Sequence, residues 1–150
     1  TLLYCENAAI NALIVYYADL AQKNKIPFET HIDYPSDITL SDADAVVLLG
    51  NLLENAVEAC MHQTTEMKFI RLHIQKLQGM LIITLDNSYS GCIHKEGEEF
   101  ISSKNNQKGI GTASIKKIVS KHNGILKFDY ENNRFHASVM LHLSQKGGLL

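Results

Sequence analysis

The sequence predicts an α+β domain: a two-layer α/β sandwich in which three helices cover one face of a mostly antiparallel mixed sheet. Three observations predict it. Apolar residues recur at helical three-and-four spacing in three separate stretches, other runs alternate with period two, and most of those runs come as local hairpins rather than strand–helix–strand units. The 150 residues read as one unit, 1–150, with a core over about 5–143 and a loose tail at 144–150. With 45% hydrophobic and 20% charged residues, the chain can bury a sizeable core, which excludes disorder as its main theme.

The elements follow in order. Between Asn7 and Asn24, the residues Ile10, Leu13, Ile14, Tyr17, Leu20 and Ala21 share one helical face. Pro27 is expected to stop that helix, after which Ile26, Phe28, Thr30 and Ile32 alternate with polar neighbours as in a half-buried strand. Residues 34–40 read as a loop. Ser41 with Asp44 is a capping box opening a second helix, about 42–63, whose Ala45, Leu48, Leu49, Leu52, Ala56 and Ala59 form the apolar face. Phe69 to Gln75 and Met80 to Asp86 form an antiparallel hairpin across Lys76-Leu77-Gln78-Gly79. From Asn87 to Lys108 there is no periodicity, and a polar stretch of that length inside a compact domain is expected to be functional, here a lid. Gly109-Ile110-Gly111 then leads into a third helix with Ile115, Ile118 and Val119 inward, closed by Asn123-Gly124. Strands at Ile125–Tyr130 and Arg134–Leu143, joined by a turn at Asn132-Asn133, complete the order.

Composition narrows the partners. The longest apolar, charge-free stretch, Ala8 to Ala18, is interrupted by Asn11 and is too short for a bilayer span. Cys5, Cys60 and Cys92 are odd in number and widely spaced, which fits a reducing compartment and reads as two core thiols and one loop thiol. The chain opens on Thr1 with neither methionine nor leader, as expected of a fragment of something longer. A net charge of −2 is too balanced for a dedicated nucleic-acid binder. Its distribution is uneven: residues 1–75 hold 4 Lys/Arg against 10 Asp/Glu, and residues 76–150 hold 10 against 6. Either the two halves pair as solvated faces, or the basic half meets a polyanion such as a nucleoside triphosphate.

Three short features carry chemistry. Asn51, Asn55, Glu58 and His62 form a polar stripe along the second helix. Asn is a poor helix former, so two on one edge call for a reason, and an amide oxygen suits a Mg²⁺ ion that also holds phosphates. The competing reading is an ordinary solvated flank. Asp86-Asn87-Ser88 sits where a strand runs out, and its carboxylate can accept from an exocyclic amino group, although the same residues serve plain turn chemistry. Gly109-Ile110-Gly111 with Thr112 offers backbone N–H groups to phosphate, but alone it is weak and matches neither the Rossmann fingerprint nor the Walker pattern.

Taken together and in this order, the features resemble a known family. Leu48-Leu49-Gly50-Asn51-Leu52-Leu53-Glu54-Asn55-Ala56-Val57-Glu58-Ala59 closely resembles the N box of the GHKL (Bergerat-fold) ATPases, most of all that of sensor histidine kinases. Asp86-Asn87-Ser88-Tyr89-Ser90-Gly91 looks like their first glycine box, Phe100-Ile101-Ser102-Ser103-Lys104 like the segment before the second, and Gly109-Ile110-Gly111 like the second. The wording of the N box is closest to quorum-sensing kinases that pair with LytTR-type regulators. The resemblance implies a Bergerat fold with an ATP lid, and ATP and Mg²⁺ as cofactors. It makes Asn55 the metal ligand, Asn51 the phosphate-side and catalytic asparagine, and Asp86 the adenine reader, with Asn87 sharing that role. Lys104, also catalytic, and Lys108 become the phosphate-contacting lid residues, with Gly109, Gly111 and Thr112 beneath the phosphates.

The sequence departs from the family at Ser88 and Ser90, where glycines are usual, at Glu58, where a basic residue is common, and at Thr112, where leucine is common. Gyrase-like relatives that hydrolyse ATP place a glutamate base at the position of Asn51; an amide cannot take that proton, so little hydrolysis is expected.

The resemblance further implies transfer of the γ-phosphate to a histidine on a dimerisation hairpin upstream of this chain, then to a response regulator, LytTR in type. It implies a cytoplasmic domain of a membrane-anchored bacterial receptor, touching membrane only through that missing part, and no direct contact with nucleic acid. None of the seven histidines reads as the acceptor, and no H-E-x-x-H or Cys/His set suggests zinc. The alternatives are an anti-sigma-type serine kinase and a nucleotide-binding or pseudokinase interaction module.

Overall fold

The computed structural model describes residues 3–63, 67–90, 93–96, 99–102 and 110–143, and within 93–96, 99–102 and 110–111 the backbone alone. Its elements are α1 (Ala8–Lys23), β1 (Phe28–Ile32), α2 (Asp42–Met61), β2 (Ile70–Leu77), β3 (Met80–Ser88), β4 (Ile93–Glu96), β5 (Glu99–Ser102), α3 (Ile110–Lys121), β6 (Ile125–Glu131) and β7 (Arg134–His142). Five strands form one sheet in the order β1-β2-β3-β7-β6, parallel only between β1 and β2. The predicted α+β sandwich with a mixed, mostly antiparallel sheet and three helices is what forms.

Local chemistry sets the boundaries. Asn7 caps α1 by accepting the Ile10 N–H at 3.0 Å, and Ser41 caps α2 by accepting the Asp44 N–H at 3.1 Å. The stop of α1 differs from the expected proline stop. The helix ends at Lys23, because Lys25 turns left-handed at φ 57° and the Lys25 and Ile26 N–H groups close back onto Gln22 and Ala21. The end of α3 uses the same closure: Asn123 takes the left-handed position at φ 51°, and the Gly124 N–H donates to the Val119 carbonyl at 2.8 Å. Two-residue turns with both φ positive, Gln78-Gly79 and Asn132-Asn133, join β2 to β3 and β6 to β7, so β2 runs two residues further, to Leu77, than the sequence suggests.

The stretch 87–108 is not structureless throughout. Asn87 and Ser88 extend β3, and β4 pairs with β5 as a separate two-stranded ribbon. Four-residue strands of mixed polar sequence give no period-two signal, while backbone pairing needs none, which is why the sequence hides them.

The core lies between the helices and one face of the sheet. Ile70, Leu72 and Ile74 of β2, Leu81, Ile83 and Leu85 of β3, and Ala137, Val139 and Leu141 of β7 all point there and are buried. Their alternate neighbours face the opposite way, exposed on β2, as at Arg71 and His73, and half-buried along β3, as at Ile82 and Thr84. α2 packs on β3 with α1 and α3 on either side, so it buries Leu53 and Val57 beyond the stripe its periodicity indicates. No helix among the described residues is long and apolar enough to cross a membrane.

Candidate functional site

α2 is held by its apolar side, and that fixes its polar flank. Leu48, Leu49, Leu52, Leu53, Ala56, Val57 and Cys60 are buried, which leaves Asn51 half-buried and Asn55 exposed one turn further on. The Asn51 amide Nδ2 donates to the Val47 carbonyl at 2.8 Å, so its orientation is set by the helix itself. Glu58 is half-buried further along the flank, and His62 ends the helix as its exposed C-cap.

The end of β3 meets the last turns of α2. Ser88 is the pin between them: its Oγ accepts the Phe69 N–H at 3.0 Å and lies 3.4 Å from Cys60 Sγ. Burial pushes the Cys60 thiol up from its ordinary value, partly offset by contacts to Ser88 and Phe69. Ser88, a departure from glycine by resemblance, therefore has a structural task here.

Pleating decides what Asp86 and Asn87 can reach. Asn87 stands opposite Ile70 and Phe135 on the helix-covered face and is 3% exposed, its Nδ2 donating to the Ser88 carbonyl at 2.9 Å. Asp86 stands opposite Arg71 and His136 on the other face. There its Oδ1 lies 2.5 Å from His136 Nδ1 and 3.9 Å from Arg134 Nε. The structure thus puts Asn87 on the face of the sheet that the helices cover, leaves Asn51 and Asn55 on the polar flank of α2, and turns Asp86 to the opposite face of the sheet.

α3 is the third wall. Thr112 is buried in its first turn, beside Gly111. α3 packs along α2, and the two are tied at the far end by Asp44, whose carboxylate accepts from Lys121 Nζ at 2.9 Å and lies 3.2 Å from His122 Nε2. These bonds, Lys121 first, hold the Asp44 carboxyl below the usual carboxylate range. Lys104, Lys108 and Gly109, expected at the phosphates, lie outside the described residues, as do Gly91, Cys92 and the tail at 144–150.

Two clefts elsewhere share Arg134 and have Phe69, Arg71, Glu131, Tyr130 and His136 among their walls. They lie toward the Asp86 side of the sheet and include none of the three asparagines.

Chemically, the helical side offers amide oxygens for a hard cation, a buried amide on the sheet, and a hydroxyl at a helix start whose first-turn N–H groups favour anions. Sequence reasoning missed one grouping altogether. Glu29, His31 and His73 converge on the exposed face of β1 and β2, and nothing but the strand register reveals it.

Residues 40–142 match the family described as GHKL domain. The sensor histidine kinase NatK of Bacillus subtilis (strain 168) is 29% identical over 143 residues, covering 91% of this chain and 45% of NatK. The sensory histidine kinase/phosphatase NtrB of Rhizobium leguminosarum bv. phaseoli is 28% identical over 119 residues, covering 66% of this chain and 30% of NtrB. The chain therefore spans less than half the length of either relative. The catalytic domain of histidine kinase ThkA superposes with a TM-score of 0.70 at 20% identity, covering 93% of this chain and 94% of that one. At that identity the likeness shows the fold.

Proposed function

The chain belongs to the GHKL domain family, and on that premise we propose that it is the ATP-binding catalytic domain of a sensor histidine kinase. It binds Mg-ATP and passes the γ-phosphate to a histidine of a dimerisation hairpin outside these 150 residues. The observation that carries this reading is the asparagine flank of α2, with Asn51 and Asn55 one turn apart on a helix whose other side is locked into the core. The naming of NatK and NtrB as histidine kinases supports it.

The donor set fits a Mg-nucleotide. Asn55 is exposed, and its neutral amide oxygen is a hard ligand that leaves the remaining positions to phosphate and water. When bound, Mg²⁺ neutralises charge that develops on the phosphates. Asn51 orients a phosphate from the preceding turn, and the start of α3, with Gly111 and Thr112, meets the phosphates with backbone N–H groups and a hydroxyl. Lys104, Lys108 and Gly109 are proposed to complete that wall. The adenine-reading task expected of Asp86 passes to Asn87. A nucleotide whose phosphates reach Asn55 lies on the helical side of the sheet, where Asn87 points and Asp86 does not. With Nδ2 already donating one hydrogen to the Ser88 carbonyl, Asn87 keeps its acceptor oxygen and one N–H for a base edge, where Asp86 would offer acceptors alone.

Catalysis is by positioning. In transfer, the bond between the γ-phosphorus and its bridging oxygen breaks, a phosphorus–nitrogen bond to the acceptor histidine forms, and ADP leaves. Asn51 provides no base for water, so hydrolysis is slow. By resemblance of the N box, the parent protein is a membrane-anchored receptor kinase of the quorum-sensing type, with this domain on the cytoplasmic side and a LytTR-type response regulator downstream.

The test is transfer in trans. The chain, incubated with γ-labelled ATP and Mg²⁺, is expected to label a histidine-bearing hairpin of its parent protein and to leave its own histidines unlabelled. Rapid self-labelling, or labelling of serine instead of histidine, contradicts the reading.

A further inference from the structure

We propose that Glu29, His31 and His73 form a surface site for a divalent transition-metal ion of the borderline class typified by Zn²⁺. β1 and β2 are parallel neighbours in a register that sets His31 directly against His73 and Glu29 against Arg71. Glu29 and His31 are two residues apart on one strand, so all three side chains stand on the same face, and all are exposed. The imidazole rings lie 4.6 Å apart between centroids. One ligand atom from each of the three residues lies within 4.8 Å of the others. Tetrahedral ligands at bonds of about 2.1 Å stand roughly 3.4 Å apart, so closing the site takes side-chain rotation on rigid strands and no backbone movement.

Two imidazoles and one carboxylate, with a fourth position left to water, are a donor set for Zn²⁺, Ni²⁺ or Cu²⁺. Mg²⁺ prefers oxygen and keeps its waters, so the site does not compete for the nucleotide's cation. It also stands on the opposite face of the sheet from α2. The ion competes with Arg71, whose Nε lies 3.6 Å from Glu29 Oε2 while its guanidinium sits 4.7 Å above the Phe69 ring. Both members of that ion pair are exposed, and such pairs hold weakly, so a metal displaces it. A bound ion clips the edge strand β1 to the sheet at its single parallel pairing.

The inference is independent of the kinase reading, and its test uses no nucleotide. The 150-residue chain is titrated with Co²⁺ under visible absorption, then with Zn²⁺ in competition, and its thermal unfolding is followed with and without Zn²⁺. One ion is expected to bind per chain with a d–d band and no thiolate charge-transfer band, and Zn²⁺ is expected to raise the unfolding temperature. His31→Gln and His73→Gln are each expected to weaken binding at least about tenfold, and the double variant to abolish the thermal shift. Because both residues are exposed, the variants should keep the parent circular dichroism, which separates loss of ligand from loss of fold. Absence of binding to the parent, a thiolate band, or equal affinity in the double variant overturns the proposal.

Discussion

Gly50 and Gly124 sit at two joints of the helical layer, and adding one methyl group to each is expected to move stability in opposite directions. Gly50 lies inside α2, where a Cβ would meet nothing nearer than Leu13 Cδ1 at 3.8 Å, an ordinary contact. Glycine in a helix interior costs about 1 kcal/mol relative to alanine, so Gly50→Ala should stabilise by about that amount. For a domain of this size, that raises the melting temperature by about 2–4 °C. Gly124 follows the left-handed turn after α3, and a Cβ there would stand 2.3 Å from the Met140 carbonyl oxygen and 2.9 Å from Leu141 Cδ2. Backbone oxygen cannot rotate aside, so the end of α3 must lift off β7. Overpacking of this kind costs about 1–3 kcal/mol, which lowers the melting temperature by roughly 2–12 °C. Thermal unfolding of the two variants beside the parent, by circular dichroism, is the assay. A loss of stability in Gly50→Ala, or a Gly124→Ala chain as stable as the parent, refutes the packing argument.

The joint between α2 and α3 should respond to acid. Lys121 and His122 hold Asp44 low, so its contribution is present above the unfolded carboxylate's pKa, about 4, and is lost as pH falls through the lower folded value. Asp44→Asn should flatten the dependence of melting temperature on pH below about 4, and an unchanged acid limb contradicts this. Between α1 and α2, the buried Tyr17 donates from its hydroxyl to Glu54 Oε2 at 3.0 Å, and burial first, then Glu54, pushes its pKa well up. Tyr17→Phe is expected to lose about 0.5–1.5 kcal/mol in denaturant unfolding, and a stabilised variant would refute that bond's contribution. Buried Cys60 should resist thiol reagents until the chain unfolds; labelling at the rate of a free thiol would contradict its placement under Ser88.

Much of this was legible in the sequence, because helix faces and hairpins are local. The apolar spacing of Ile10, Ile14, Tyr17 and Ala21 marks α1, and Asn132-Asn133 marks the last turn. What stayed hidden depends on partners distant in the chain or on backbone geometry. Leu53 and Val57 are buried because helices flank α2 on both sides, which one helix's period does not encode. Lys25 takes a left-handed turn that its residue type does not favour. The orientation of Asp86 and Asn87 turns on a one-residue question of strand phase, which flips every side chain to the other face. His31 and His73 meet through the register of a parallel pairing, so neither spacing nor motif announces them.

Whether the asparagines hold a Mg-nucleotide on the helical side of the sheet is decided by calorimetric titration of Mg-ATP into four proteins: the parent, Asn55→Ala, Asn87→Ala and Asp86→Ala. The parent is expected to bind, Asn55→Ala to lose the metal-dependent part of the affinity, and Asn87→Ala to bind more weakly while Asp86→Ala stays near the parent. A parent that takes up no Mg-ATP, or an Asn55→Ala protein that binds it as the parent does, would contradict the claim, and a loss confined to Asp86→Ala would put the base on the opposite face.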